Sequence, residues 1–170
     1  MSYTSHQEIS RNIVVRCGVI TLSDTRKIET DVSGRTIAEL LAQSHHRVFF
    51  HEVLKDEPEP LKIRLEGLLA RDDIDAILTN GGTGISRRDQ TIGVVESLIE
   101  QPLPGFGELF RMLSFQQIGS GAMLSRASGG IAKGKLIFAL PGSPAAVELA
   151  MTKLILPEIK HLVHQLLKQQ

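Results

Sequence analysis

An α/β fold, doubly wound around a mostly parallel sheet with flanking helices, is predicted by three features of the sequence. Short blocks of Val, Ile and Leu recur three times before Asn80, two stretches of helical apolar spacing alternate with them, and a glycine-rich turn follows the third block directly. Residues 13–22 are rich in Val and Ile and read as a strand buried on both faces. After the polar loop SDTRKIETDVSG, the residues Ser33, Ile37, Leu40, Leu41 and Ser44 share one helix face. Residues 47–54 make a second strand. The acidic, proline-bearing stretch 56–60 cannot continue it, and Leu61, Leu65, Leu68 and Leu69 supply the apolar stripe of a second helix. The third strand is 74–78, opening into TNGGTG. In such a sheet, ligands bind beyond the carboxyl ends of the strands.

The second half is less regular. Residues 91–99 read as a helix, QPLPGFG as a turn-rich link, and Phe106, Leu109, Phe110 and Leu113 as another helical stripe. Residues 127–132 and 136–140 pair as a hairpin around Lys133 and Gly134. Ser143 suits the N-cap of a long last helix, with Pro144 in its first turn and a bend at Pro157.

A chain of 170 residues fits one domain, 1–170, with residues 1–12 as a flexible polar arm. No run approaches the roughly 20 consecutive apolar residues of a membrane span, and the N-terminus has neither a secretory nor a transit character, so the cytoplasm is the expected location. Cys17 is the only cysteine, which excludes an internal disulfide. Lys plus Arg and Asp plus Glu each total 19, and the chain has no Trp, one Tyr and six Phe. That leaves neither a basic field nor stacking surfaces for nucleic acid, so an anionic ligand must be held locally by loop amides and a few placed arginines.

TNGGTGISRRDQT, residues 79–91, is the most informative segment. Gly81, Gly82 and Gly84, with Thr83 among them, let the backbone take positive φ and admit a ligand without a Cβ in the way. Their amides and the next helix N-terminus suit an anion, to which Arg87 and Arg88 add charge. Asp89 would repel that anion unless a cation lay between, so Mg²⁺ is implied. The bland alternative is a tight strand-to-helix turn with solvated charges and an Asp cap. No GxGxxG follows the first strand, which argues against a nicotinamide enzyme. GGIAKGKL, residues 129–136, nearly matches a P-loop, but Leu136 stands where Ser or Thr is required and a strand follows, so it reads as a hairpin. The six histidines are scattered and read as surface or packing residues.

TNGGTGISRRD, GFGELFRMLSF, SRASGG and LPGSPAA, in that order and spacing, resemble the MoaB/MogA family of molybdenum cofactor proteins. The resemblance runs over residues 14–167 and implies that family's molybdopterin-binding fold, with sites for molybdopterin and ATP. It further implies transfer of AMP to the terminal phosphate of the pterin, with release of pyrophosphate, the product then taking molybdate on a separate enzyme of the same pathway. The family's two catalytic aspartates correspond to Asp56, in VLKDEPE, and Asp89, in SRRDQT; these would hold the Mg²⁺ that accompanies ATP. Ser23, Asp24, Glu108, Ser125, Arg126, Pro141, Gly142 and Ser143 correspond to loops lining the family's ligand cleft, Arg126 suiting a phosphate. Glu108 also reads as a solvated helix residue, and Ser143 as a plain N-cap. The family suggests trimers, and the MoaB branch hexamers. Gln90-Thr91-Ile92 after Asp89 departs from the Thr-Pro of many relatives. Two functions remain: an adenylyltransferase, or a carrier that binds molybdopterin or a precursor without chemistry.

Overall fold

A computed structural model describes residues 12–168. The arm expected at 1–12 lies outside the described residues except for Asn12. Six strands form one sheet: β1 (Arg16–Leu22), β2 (Arg47–Leu54), β3 (Ala76–Asn80), β4 (Gln101–Pro102), β5 (Ser128–Ala132) and β6 (Lys135–Leu140). Their order is β2-β1-β3-β6-β5-β4. The first four are mutually parallel, β5 runs antiparallel to β6, and β4 antiparallel to β5. The helices are α1 (Val32–Gln43), α2 (Pro58–Leu69), α3 (Thr91–Leu98), α4 (Pro104–Ile118), α5 (Pro144–Ala150) and α6 (Leu156–Leu167). The expected doubly wound α/β architecture is the observed one.

Successive strand residues face opposite sides, so each central strand feeds two cores. Val19, Leu78 and Phe138 join the side covered by α1, α4, α5 and α6, while Ile20, Ile77 and Ile137 join the side covered by α2 and α3. Leu61, Leu65, Leu68 and Leu69 are all buried on the second side, the stripe that makes α2 a helix of this sheet. Burial of one such leucine contributes about 2 kcal/mol. No helix among the described residues is long and apolar enough to cross a membrane.

Several boundaries differ from the sequence expectation for local reasons. The first strand starts at Arg16 instead of residue 13. β3 lies two residues later than expected, because Thr79 and Asn80 are polar yet hydrogen-bond to neighbouring strands inside the sheet. Thr79 Oγ1 donates to the Phe138 carbonyl and Asn80 Nδ2 to Thr21 Oγ1. The link 101–107 contains strand β4 and the first turn of α4, with Pro104 at a helix start where its missing N–H costs nothing. The hairpin turn is as expected: Lys133 and Gly134 both take positive φ, 46° and 71°. The last helix is interrupted by a π-turn, Met151–Ile155, in which the Leu156 N–H reaches back to the Met151 carbonyl. Pro157 cannot donate to the carbonyl one turn back, and the wider turn before it absorbs that loss.

The chain runs from β1 outward to β2, then crosses β1 to reach β3. The loops after β1, β2, β3 and β6 therefore gather at one end of the sheet, at the point where strand order reverses.

Candidate functional site

Three of those loops carry acids that meet. The Asp56 N–H donates to Asp24 Oδ1 at 3.3 Å, and Arg88 Nη2 pairs with Asp24 Oδ2 at 2.8 Å, joining the loops after β1, β2 and β3. Burial pushes the Asp56 carboxyl above its usual range, and the charges of Asp89 and Asp24 push the same way against Arg88. The Asp89 carboxyl is drawn below its usual range by the Ser86 hydroxyl, helped by the N–H groups of Ser86 and Gly84 and the charge of Arg126. Asp56 therefore sits among like charges, whereas Asp89 is bound into its own loop.

The glycines are placed by contact. Gly81 (φ 92°) lies so close to the Leu22 carbonyl that a Cβ would collide with it, and Gly142 packs against Gly81 in turn. Gly82 (φ 60°) faces both the Asp56 carboxylate and the Thr91 hydroxyl, again with no room for a Cβ. Backbone approach at these two positions brings the loop after β3 under the loops from β1, β2 and β6.

Arg126 is engaged differently from the sequence expectation. Its Nε donates to the Thr83 carbonyl at 2.9 Å, and Nη2 donates to the Asp89 carbonyl at 2.9 Å and to the Gly84 carbonyl. These bonds tie Arg126 to the glycine loop. Arg87 is exposed beside Arg88. Ser23 Oγ accepts the N–H groups of Thr25 and Arg26, closing the turn after β1. Pro141 and Gly142 lie in the turn after β6, and Ser143 is the N-cap of α5, accepting the Ala146 N–H at 3.3 Å. Ser125 is half-buried next to Arg126. Glu108 does not join the acids: it lines a separate hollow with Glu96, Arg111, Ser128 and Gly129.

A buried polar network that no motif of the sequence marks lies beneath this site. Asp31, with 0% exposure, accepts from Thr21 Oγ1 at 2.5 Å and from the Gly34 N–H at 3.1 Å, and its Oδ2 lies 2.7 Å from His51 Nε2. Burial alone would raise its pKa, but the hydrogen bonds from Thr21, Gly34 and His51 outweigh it and leave the carboxyl lowered. Arg26 Nη1 reaches Ser33 Oγ and the Gly142 carbonyl, each at 3.2 Å, and Ser33 Oγ donates to the same carbonyl at 2.7 Å. Asn80 extends the network through Thr21 to β3, its Oδ1 buried with no partner among the described residues. The DVSG run, with Asp as the N-cap of α1, was the available signal. His51, read as a surface or packing residue, belongs to this network and lines an open hollow of about 570 Å³ with Ser23, Asp24, Arg26 and Lys55.

Among the described residues, no group of three or more His, Cys, Asp or Glu side chains is placed to hold a metal ion. Asp56 and Asp89 with a ligand's phosphate oxygens would suit Mg²⁺, which commonly takes one or two carboxylates and substrate phosphates.

A family model described as "Probable molybdopterin binding domain" matches residues 18–161. Molybdenum cofactor biosynthesis protein B of Bacillus cereus is 48% identical, over 99% of this chain and 100% of that protein. The protein of the same name from Halalkalibacterium halodurans is 47% identical over 100% of each. A crystal structure of molybdenum cofactor biosynthesis protein B superposes with a TM-score of 0.90 at 49% identity, covering 92% of this chain and 98% of that one. The crystal structure of the tungsten cofactor synthesizing protein MoaB from Pyrococcus furiosus gives 0.80 at 32% identity, over 89% and 96%.

Proposed function

Since the chain belongs to the MoaB/MogA family of molybdenum cofactor biosynthesis proteins, we propose that its cleft binds molybdopterin and Mg-ATP and transfers AMP to the pterin phosphate. The observation that carries this reading is the meeting of Asp24, Asp56 and Asp89 with Arg88 beside a glycine loop at the switch point of the sheet. A terminal phosphate oxygen of the pterin attacks the α-phosphorus of ATP. One P–O–P bond forms, the bond between the α- and β-phosphates breaks, and pyrophosphate leaves.

The nucleophile is already ionised at neutral pH, so no general base is needed; the barrier is the charge crowded between the two phosphates. Arg87 and Arg88 offset part of that charge. Asp56 and Asp89 would hold Mg²⁺, which supplies Lewis-acid neutralisation when bound. Gly81 and Gly82 let the loop backbone approach the phosphates. We place the reaction in the cytoplasm, as one step before molybdate insertion by a separate enzyme. The exposed apolar residues Met112, Phe115, Ile118, Met123 and Leu124 support assembly as a trimer or hexamer, which light scattering tests.

The carrier reading is favoured by one feature, the Asp89 carboxylate turned toward the N–H groups of its own loop. The two readings part in the behaviour of mutants. For an enzyme, Asp56→Asn and Asp89→Asn should each lower turnover by roughly 10²–10³-fold while pterin binding survives. The double mutant should cost much less than the product of the two losses, because both act through one cation. Turnover of Asp89→Asn at the parental rate would remove it from the catalytic site.

A further inference from the structure

Arg126 lies between the 3₁₀ turn Gly119–Leu124 and β5, within reach of the loop after β3. A phosphate-binding arginine leaves its fork free for the ligand. This one directs Nε and Nη2 to three main-chain carbonyls, those of Thr83, Gly84 and Asp89. Within the same loop the Ser86 N–H donates to the Asp89 carboxylate at 2.9 Å, the Gly84 N–H supports it, and the Asp89 N–H returns to the Ser86 carbonyl at 3.1 Å. Residues 83–89 are therefore closed twice: N–H groups onto the Asp89 carboxylate, and carbonyls onto one guanidinium.

We propose that Arg126 is a positioning residue that clamps this loop and so sets how Asp89 is presented, acting on Mg-ATP through the loop and not as a ligand to phosphate. The proposal rests on the reading of the loop as the Mg-ATP site. The planar fork meets these three carbonyls from two fixed nitrogens, Nε and Nη2; a lysine keeps the charge and three donors but gathers them on one nitrogen, without that geometry. A phosphate that captured Nε and Nη2 would strand all three carbonyls, so the clamp and direct phosphate binding through these atoms exclude each other.

The test uses the full chain as parent, Arg126→Lys and Arg126→Ala, with thermal unfolding first to show that each folds. Amide hydrogen exchange is followed at residues 83–89, and Mg-ATP affinity is measured by calorimetry. Both variants should exchange faster in that segment, by about tenfold or more, because the loop opens without the clamp. Mg-ATP affinity should fall by roughly tenfold or more in both, with no rescue by lysine. Parental exchange in Arg126→Ala, or Arg126→Lys binding Mg-ATP within about twofold of the parent, would overturn the clamp, since charge alone would then suffice. A parent that binds no Mg-ATP would sink the functional reading, while the exchange data would still decide whether Arg126 holds the loop.

Discussion

Asp31→Ala should be among the most destabilising substitutions near the site, although Asp31 is not expected to touch either substrate. The side chain is fully buried and takes hydrogen bonds from Thr21 Oγ1, His51 Nε2 and the Gly34 N–H, with Arg26 3.8 Å away. Alanine removes the acceptor and leaves the Thr21 hydroxyl proton and the buried Gly34 N–H without their partner, while the half-buried His51 ring loses its bond to the carboxylate. Leaving a buried donor unsatisfied costs about 1–3 kcal/mol, so the Thr21 hydroxyl and the Gly34 N–H, the second of which is the lost N-cap bond of α1, together cost about 4 kcal/mol. A chain of 170 residues has an unfolding entropy of about 0.36 kcal/mol/K, so a loss of about 4 kcal/mol lowers Tm by about 11 °C. Asp31→Asn keeps the shape and one carbonyl acceptor and should lose about half as much. Scanning calorimetry at neutral pH measures both. A Tm for Asp31→Ala within about 3 °C of the parent would correspond to about 1 kcal/mol and refute the assignment of this network as the structural floor of the site.

Asp56→Asn should act in the opposite sense on the unliganded protein. Its carboxyl is raised by burial and by Asp89 and Asp24, so its charge costs the folded chain more than the unfolded one, and removing the charge should stabilise the fold even as turnover falls; lower stability in urea titrations would contradict this. Gly82→Ala forces a side chain into φ 60° and against Asp56 and Thr91. It should cost about 1–3 kcal/mol and displace the Asp56 loop, so parental stability together with parental Mg-ATP binding would count against the close approach. His46, buried and accepting the Val15 N–H, is pushed down to about 4, first by burial and then by the charges of Lys160 and His45. The unfolded chain binds this proton more readily between pH 6.5 and about 4, so the contribution is intact above pH 6.5 and is lost as pH falls. The loss approaches about 3 kcal/mol by pH 4. Comparison of unfolding free energies for parent and His46→Asn across that range isolates it; parallel pH curves would refute it.

Most of the frame was legible because local pattern and tertiary role coincide there. The Val and Ile blocks of β1 and β2, the leucine stripe of α2 and the positive-φ pair at Lys133 and Gly134 each serve the same end locally and globally. Asp24, Asp56 and Asp89 could be listed from their loops, and parallel topology alone brings those loops to one end. Asp31 was hidden because its partners, Thr21 and His51, come from two strands at separations of 10 and 20 residues, which no helical or strand period connects. The contacts of Arg126 were hidden for a related reason. An arginine beside a ligand loop looks the same in sequence whether it serves phosphate or backbone, and only the positions of three carbonyls distinguish them. β3 ends later than its apolar run because the Thr79 hydroxyl and the Asn80 amide N–H bond to neighbouring strands.

The most direct test of the central claim is pyrophosphate release by the purified protein with molybdopterin, ATP and Mg²⁺, with mass spectrometry of the pterin product. Adenylyl transfer requires pyrophosphate to appear only when all three are present, in step with an AMP adduct of the pterin, and to fall by roughly 10²-fold or more in Asp89→Asn. Tight pterin binding with neither pyrophosphate nor adduct would contradict it and leave the protein a carrier.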